Sequence, residues 1–271
     1  MSEIVWFGDG GCADVSVAGG KGASLAAMTE AGLPVPPGFV VAAHALEQAV
    51  DGTRLRKLAR AQDSAAAQTL VRNSKPPRQA IAEAYERLGG GPVAVRSSAR
   101  AEDSETASFA GQQETYLHVS GADEVCAHVV ECWASFFTER ALFYRARKGS
   151  LDDLAMAVVV QRMVEPEKSG VLFTVDPVQR RRDRMVAEAV HGLGEQVVSG
   201  AVTPDHYVLD RTGVVKREQL QDGGVLTAAE LARLAALGRG LEERFGGPQD
   251  IEWAIAGGEI FLLQSRPVTT L

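Results

Sequence analysis

Apolar and polar residues alternate most regularly near the end of the chain. Across residues 250–255 every second side chain is apolar, and Asp250 and Glu252 lie between them. This period of two predicts a strand with one apolar face and one face that presents carboxylates. Two glycines then predict a turn, and residues 259–265 form a second predicted strand that places Gln264 beside Glu252. The pattern therefore predicts a closing β-hairpin.

Other stretches of the chain have the spacing of strands or helices. Short apolar runs predict strands at 38–41, 92–98, 113–119, 156–161 and 169–177. Ala-rich and charged segments predict helices at 44–50, 53–71 and 78–88, apolar residues at helical spacing predict one at 122–148, and another is predicted at 227–245. The longest of these helices has an apolar stripe that indicates core packing rather than a cofactor site.

Composition limits the classes to which the protein can belong. Its 271 residues, 45% of them hydrophobic, are enough for one large domain or two closely joined lobes. The net charge of −7 argues against general nucleic-acid binding, which needs clustered basic residues. Three cysteines without a CxxC pair, no signal sequence and no apolar run near the ~18 residues of a membrane span predict a soluble, reduced, cytoplasmic protein.

The predicted hairpin brings three polar groups together. A carboxylate at Glu252, an amide oxygen at Gln264 and a guanidinium at Arg266 converge on one face of the sheet. Oxygen ligands suit a hard metal ion, and a guanidinium suits the phosphate chain that such an ion bridges. A surface hairpin with solvated charges explains this stretch equally well when it is considered alone.

A lysine lies between glycines near the start of the chain. Residues 19–22 are Gly-Gly-Lys-Gly, so the backbone can approach a ligand closely while the Lys21 ammonium reaches an anion. The GxxxxGK[ST] spacing of a P-loop is absent. A packing turn before a helix is the alternative interpretation, and it is the commoner one for an isolated motif of this kind.

Two further segments are polar where a ligand could bind. The stretch 99–113 is typical of either a mobile lid or a disordered connection, and its aromatic residue and glycine favour a lid. The strand predicted at 156–161 has a polar exit at 161–164, which is suited to line the adenine edge of a nucleotide pocket.

Several multi-residue motifs together resemble those of one family. The chain is similar to the nucleotide-binding domain of the pyruvate phosphate dikinase, phosphoenolpyruvate synthase and rifampicin phosphotransferase family. The resemblance covers nearly the whole chain and is weakest at 43–90. The residues that show it are 19–25 with 32–39, 95–98 with 108–113, and 263–267.

The resemblance implies an α+β ATP-grasp fold, in which two lobes with antiparallel sheets enclose a nucleotide cleft. It implies an N-terminal lobe at 1–155 with the lid at 99–113, and a C-terminal lobe at 156–271 with the metal-binding hairpin. ATP and Mg²⁺ are the implied cofactors. On the family pattern Lys21, Arg96 and Arg266 contact the phosphates as catalytic residues, Glu252 and Gln264 hold the metal, and the other nucleotide-binding positions are Gly111, Gln161, Met163 and Val164.

The chain departs from the family pattern at several positions. Arg100 lies where a small residue is more usual, Ser104 and Glu105 replace an apolar residue and a proline, and His191 replaces an aromatic residue. These differences concern the lid contacts and the adenine wall. Full-length members also have a Thr-Ser-His motif that this sequence lacks, and all its histidines are interpreted as structural or surface residues. Because the sequence stops at Leu271, we expect either a free-standing half of a split enzyme or a fragment ending at a domain boundary.

The leading functional hypothesis is an ATP-dependent phosphotransferase component of the dikinase type. It would bind MgATP and pass the β-phosphoryl group to a histidine on a separate chain or missing domain, giving AMP and phosphate. A small molecule would be the final acceptor, and neither nucleic acid nor membrane is expected as a partner. The alternatives are a direct ATP-grasp ligase or small-molecule kinase that forms ADP, and a non-catalytic nucleotide-binding module.

Overall fold

The computed structural model describes residues 2–100, 114–194, 202–221 and 223–269. The described residues form two antiparallel sheets, one of five strands and one of six, together with helices, so the predicted α+β class is confirmed. The chain divides into two compact units. The first contains Met1–Gly32 and Pro37–Met163, and the second contains Leu33–Pro36 and Val164–Leu271.

The first unit contains the five-stranded sheet, whose strand order is β1-β2-β5-β3-β4. Its strands are β1 (Ile4–Trp6), β2 (Gly38–Val41), β3 (Val93–Ala99), β4 (Thr115–Val119) and β5 (Met156–Arg162). Its helices are α1 (Val15–Glu30), α2 (His44–Ala49), α3 (Gly52–Arg60), α4 (Ser64–Arg72), α5 (Arg78–Arg87), α6 (Ala122–Ser135) and α7 (Glu139–Lys148).

The two faces of this sheet contact different helices, because successive side chains of a strand point to opposite faces. Val95 and Val158 are fully buried in the main hydrophobic cluster, together with Trp133 of α6. On the opposite face α1 lies very close to the strands, since a Cβ added at Gly22 would be 3.0 Å from Val40 Cγ2. Helix α1 therefore covers the face opposite the main cluster.

Two predicted helices, 53–71 and 122–148, are each two helices in the structure. In both cases a polar side chain caps the second helix and so ends the first. The Asp63 carboxylate accepts a hydrogen bond from Ala66 N–H at 3.1 Å and starts α4. The Thr138 hydroxyl accepts one from Ala141 N–H at 3.4 Å and starts α7.

The second unit contains the six-stranded sheet, whose strand order is β11-β10-β6-β7-β8-β9. Its strands are β6 (Lys168–Phe173), β7 (Arg184–His191), β8 (Asp205–Asp210), β9 (Val215–Gln219), β10 (Gln249–Ala256) and β11 (Glu259–Pro267), and its long helix is α8 (Ala228–Phe245). Strands β10 and β11 form the predicted closing hairpin, which is confirmed.

One face of the second sheet packs against α8. A Cβ added at Gly238 of α8 would lie 3.0 Å from both Leu172 Cδ2 and Thr174 Cγ2. Glu252 lies on the opposite face, because it pairs with Val171, the neighbour of Leu172. The charged face of the hairpin is therefore the face that α8 does not cover.

The boundary between the two compact units lies close to the lobe boundary that the resemblance implies. The expected boundary between 155 and 156 falls before β5, whereas β5 pairs with β2 and β3 in the first sheet. The division of the structure instead falls between Met163 and Val164. Within the described ranges, no helix combines the length and the apolar character needed to cross a membrane.

Candidate functional site

Strand register in the second unit aligns four polar side chains and one valine in a single row across the sheet. Gln264 pairs with Glu252, which pairs with Val171 on β6. Val171 pairs with Glu188 on β7, and Glu188 pairs with His206 on β8. Because directly paired residues point to the same face, all five side chains leave the sheet on the face opposite α8.

Glu252 and Gln264 form the part of this row that fits a metal ion. Their Cα atoms belong to neighbouring strands, which places a carboxylate beside an amide oxygen. Mg²⁺ takes oxygen ligands and is usually bound through one or two carboxylates together with substrate phosphates. Among the described residues, no three or more His, Cys, Asp or Glu side chains are gathered into a metal cage. The paired carboxylate of Glu252 and amide oxygen of Gln264 are oxygen donors, so these residues fit a Mg²⁺ ion that protein and phosphates hold jointly.

The next row of the hairpin contains an ion pair between Asp250 and Arg266. Arg266 Nε donates to Asp250 Oδ2 at 2.8 Å, and the aspartate side chain is 11% exposed while the arginine side chain is 48% exposed. The carboxylate thus fixes the inner end of a guanidinium that remains open to solvent. Such a guanidinium is suited to contact phosphate oxygens.

Burial raises the pKa of Asp250, and the nearby guanidinium of Arg266 opposes that shift. The negative charges of Glu252 and Glu188 raise the pKa further. Three carboxylates therefore act on one another across this face, and a cation bound there would relieve their repulsion. The alternation along the strand predicts only that Asp250 is a carboxylate of this face, and its position two residues before Glu252 is the signal that could have marked it as a site residue.

In the first unit the glycines around Lys21 serve packing. Gly19 has a φ of +68°, and a Cβ there would lie 2.2 Å from the Ser98 carbonyl oxygen. The Ser98 hydroxyl donates to Ala18 O at 2.8 Å and accepts from Gly22 N–H at 3.1 Å. The backbone at Gly19 is not helical, so α1 is kinked two residues before Lys21, and the close contacts of Gly19 and Gly22 with Ser98 and Val40 support a packing role for these two glycines. Lys21 itself is 5% exposed.

Arg96 and Gln161 lie on the sheet face that α1 covers. Arg96 is two positions before Ser98 on β3, so the two side chains share a face. Gln161 is two positions after Val159 on β5, and Val159 Cγ2 would be 3.7 Å from a Cβ at Gly22. The first unit thus places both predicted residues on the face of the sheet that contacts the helix containing Lys21.

The remaining predicted positions differ in what the structure describes. The Met163 N–H donates to Pro92 O at 3.0 Å, and Met163 and Val164 are both partly exposed. Gly111 and most of the predicted lid, residues 101–113, lie outside the described residues. Ser104 and Glu105 lie there too. His191 is exposed at the end of β7.

The fold and the hairpin together define the class of protein. It is an α+β protein whose second unit places the Glu252 carboxylate, the Gln264 amide and the Arg266 guanidinium on the sheet face opposite α8. The chain belongs to the family described as pyruvate phosphate dikinase, AMP/ATP-binding domain, whose model matches residues 15–223 and 212–271. This match confirms the family resemblance identified from the sequence motifs.

Three curated relatives show how the chain compares with longer proteins. It is 40% identical to a "Probable phosphoenolpyruvate synthase" of Methanocaldococcus jannaschii, over 100% of this chain and 27% of that protein. It is 42% identical to a protein of the same name in Archaeoglobus fulgidus, over 99% of this chain and 42% of that protein. It is also 42% identical to a "Rifampicin phosphotransferase" of Streptomyces sviceus, over 95% of this chain and 35% of that protein. The chain thus spans less than half the length of each.

Proposed function

We propose that this chain binds MgATP and acts as the ATP-binding component of a phosphotransferase. The observation that supports this most directly is the register of the closing hairpin, which pairs Glu252 with Gln264 and Asp250 with Arg266. One row has the oxygen ligands for a metal, and the next has the guanidinium for a phosphate. Membership of the AMP/ATP-binding domain family supports the nucleotide as the ligand.

Each proposed residue has a role that follows from its charge. Glu252 and Gln264 would hold Mg²⁺, which neutralises charge on the phosphate chain when bound. Arg266, held by Asp250, would contact phosphate oxygens, and Lys21 and Arg96 of the first unit would do the same. Phosphoryl transfer needs mainly positioning and charge neutralisation, so this set of side chains matches its requirements.

We further propose that the transferred group is the β-phosphoryl group and that a histidine outside this chain receives it. Relatives named phosphoenolpyruvate synthase and rifampicin phosphotransferase support a transfer reaction, and their greater length leaves room for further domains. The products would be AMP and phosphate, and a small molecule would be the final acceptor.

Nucleotide binding is tested by thermal unfolding with and without MgATP. At about 100 times its dissociation constant, a ligand of the folded state stabilises it by ~2.7 kcal/mol. For a chain of this length we expect the melting temperature to rise by roughly 5–10 °C. An unchanged melting curve at millimolar MgATP contradicts the proposal.

The metal role is tested with Glu252→Gln and a matched control. This variant keeps the shape of the side chain and removes its charge, so it should lose most of the Mg²⁺-dependent part of the stabilisation. Glu259→Gln in the same hairpin is the control, because Glu259 lies at the turn and its side chain is 73% exposed. If both variants respond to MgATP like the parent, Glu252 is not a metal ligand.

The transfer step is tested with ATP labelled at the β-phosphate in a single turnover. We expect label on the histidine of a phosphohistidine domain, supplied in trans from a related enzyme, with AMP as the nucleotide product. Rapid ADP formation by this chain alone would indicate a direct kinase or ligase instead. Confirmed MgATP binding without any labelled protein, across several such domains, would indicate a non-catalytic binding module.

A further inference from the structure

A second glutamate lies on the same sheet face as Glu252, two strands away. Glu188 of β7 is opposite Val171, and Val171 is opposite Glu252. Two strand spacings separate the two glutamate backbones by roughly 9–10 Å. The proposed metal and phosphate residues thus occupy one side of Val171, and Glu188 occupies the other.

The Glu188 carboxylate is directed away from the proposed metal position. His206 Nδ1 lies 3.4 Å from Glu188 Oε1, and β8, which contains His206, is on the far side of β7 from Glu252. Oxygens that share one Mg²⁺ ion are roughly 3 Å apart, because each lies 2.0–2.1 Å from the metal. A glutamate that contacts His206 is poorly placed to share that ion with Glu252.

The surface between the two glutamates is suited to a sugar ring. Val171 is a small, partly exposed apolar side chain, and it forms a floor between the two carboxylates. The side chains of Glu188 and His206 remain 32% and 28% exposed, so a ligand can reach them. An ionised carboxylate has two acceptor oxygens, which match the two adjacent hydroxyls of a ribose.

We propose that Glu188 accepts hydrogen bonds from the ribose hydroxyls of the nucleotide, and that His206 is a positioning residue that holds the Glu188 carboxylate. This inference rests on the proposed function, since it requires a nucleotide with its phosphates at Glu252 and Arg266. It extends that function by naming a residue that selects ribonucleotides. An acidic side chain performs the same task for the 2′-hydroxyl in dinucleotide-binding folds.

The test compares the binding of ATP, 2′-deoxy-ATP and 2′,3′-dideoxy-ATP by calorimetry, each with Mg²⁺. The wild type should bind ATP about tenfold or more tightly than the dideoxy nucleotide, the size of one charge-assisted hydrogen bond. Glu188→Ala should reduce this preference to about twofold or less, mainly by weakening ATP binding. Glu188→Gln, which keeps the side-chain shape, should also reduce it.

Two further variants separate the role of Glu188 from general effects. Glu218→Gln is the matched control, because exposed Glu218 pairs with Tyr207 and so points to the other face of the same sheet. It should keep the full preference for ATP. His206→Asn retains a hydrogen-bond donor and should preserve more of the preference than His206→Ala.

The possible outcomes separate this inference from the proposed function. Equal binding of all three nucleotides by the wild type overturns the inference alone, and so does an unchanged preference in Glu188→Ala. If Glu188→Ala weakens the binding of all three nucleotides by the same factor, Glu188 acts at the metal rather than at the ribose, and the inference is overturned. If the wild type binds none of the three, the proposed function fails as well.

Discussion

The two buried aspartates of the second sheet, Asp205 and Asp250, should respond in opposite ways to replacement by asparagine. Asp205 is 2% exposed and accepts from Gln221 N–H at 2.6 Å, Val225 N–H at 2.7 Å and the Tyr207 hydroxyl at 3.1 Å. Asp250 contacts the half-exposed Arg266. We therefore expect Asp205→Asn to affect stability and Asp250→Asn to affect ligand binding.

The expected magnitudes follow from these contacts. An asparagine at 205 has one acceptor oxygen, so one of the two backbone N–H donors, that of Gln221 or that of Val225, would face an amide NH₂ inside a buried network, at a cost of about 2 kcal/mol or more. At 250, the ion pair has a buried carboxylate but a half-exposed arginine, so we take about 0.2–1 kcal/mol for it, and its loss is offset because an uncharged amide is easier to bury. The free energy of unfolding should therefore change by less than ~1 kcal/mol in Asp250→Asn.

The pH dependence of stability gives the same prediction an independent test. Because the pKa of Asp250 is raised in the folded protein, its contribution to stability is complete below the ordinary value of 3.8 and is lost as pH rises through the raised value. Asparagine does not titrate. The stability of Asp250→Asn relative to the parent should therefore increase with pH across that range.

Thermal unfolding of both variants, with and without MgATP, is the assay. At roughly 2–4 °C per kcal/mol, Asp205→Asn should melt at least about 4 °C below the parent yet keep its response to MgATP. Asp250→Asn should melt near the parent and lose much of that response, because Arg266 is no longer held. The reasoning is refuted if Asp250→Asn is as unstable as Asp205→Asn, or if it keeps the full MgATP response.

Two predictions concern the first unit. Gly19→Ala should destabilise the protein by at least ~2 kcal/mol in denaturant titration, because the φ of Gly19 is positive and the added carbon would meet the Ser98 carbonyl. Gly8→Ala is the control and should change stability little, because a Cβ at Gly8 would have no atom within 4 Å. Equal effects would contradict the packing role of Gly19. Burial raises the pKa of Cys12 to about 12 and raises that of Cys132 as well, so a thiol reagent at pH 8 should label both slowly until the protein is unfolded. Fast labelling of either native thiol would show that it is accessible.

The features that could be predicted from sequence are those set by neighbouring residues. The alternation at 250–255 and the glycine pair after it specify a hairpin locally, so the strands were found correctly. The breaks before α4 and α7 also had local signals, since Asp63 and Thr138 are typical N-cap residues. Those signals were outweighed by helical spacing that continued across each break.

The features that could not be predicted depend on contacts between distant parts of the chain. The Gly22 N–H donates to the Ser98 hydroxyl, which is 76 positions away in the sequence, so the packing role of Gly22 is visible only once α1 lies on β3. Glu188 and Glu252 share a row on one face of the sheet only because of the registers in which β10 pairs with β6 and β6 pairs with β7. A motif indicates which residue types are present, but sheet order decides which of them share a face.

A β-bulge in the closing hairpin decides whether Gln264 can act with Glu252. Near the turn the pairing is regular, and Trp253 pairs with Leu262. Continued without interruption, that register would pair Glu252 with Leu263 and would turn Gln264 toward the face covered by α8. The register instead shifts between Glu252 and Trp253, so Leu263 is the extra residue and Gln264 is opposite Glu252. The bulge thereby puts the amide oxygen and the carboxylate on one face, as joint binding of a metal requires.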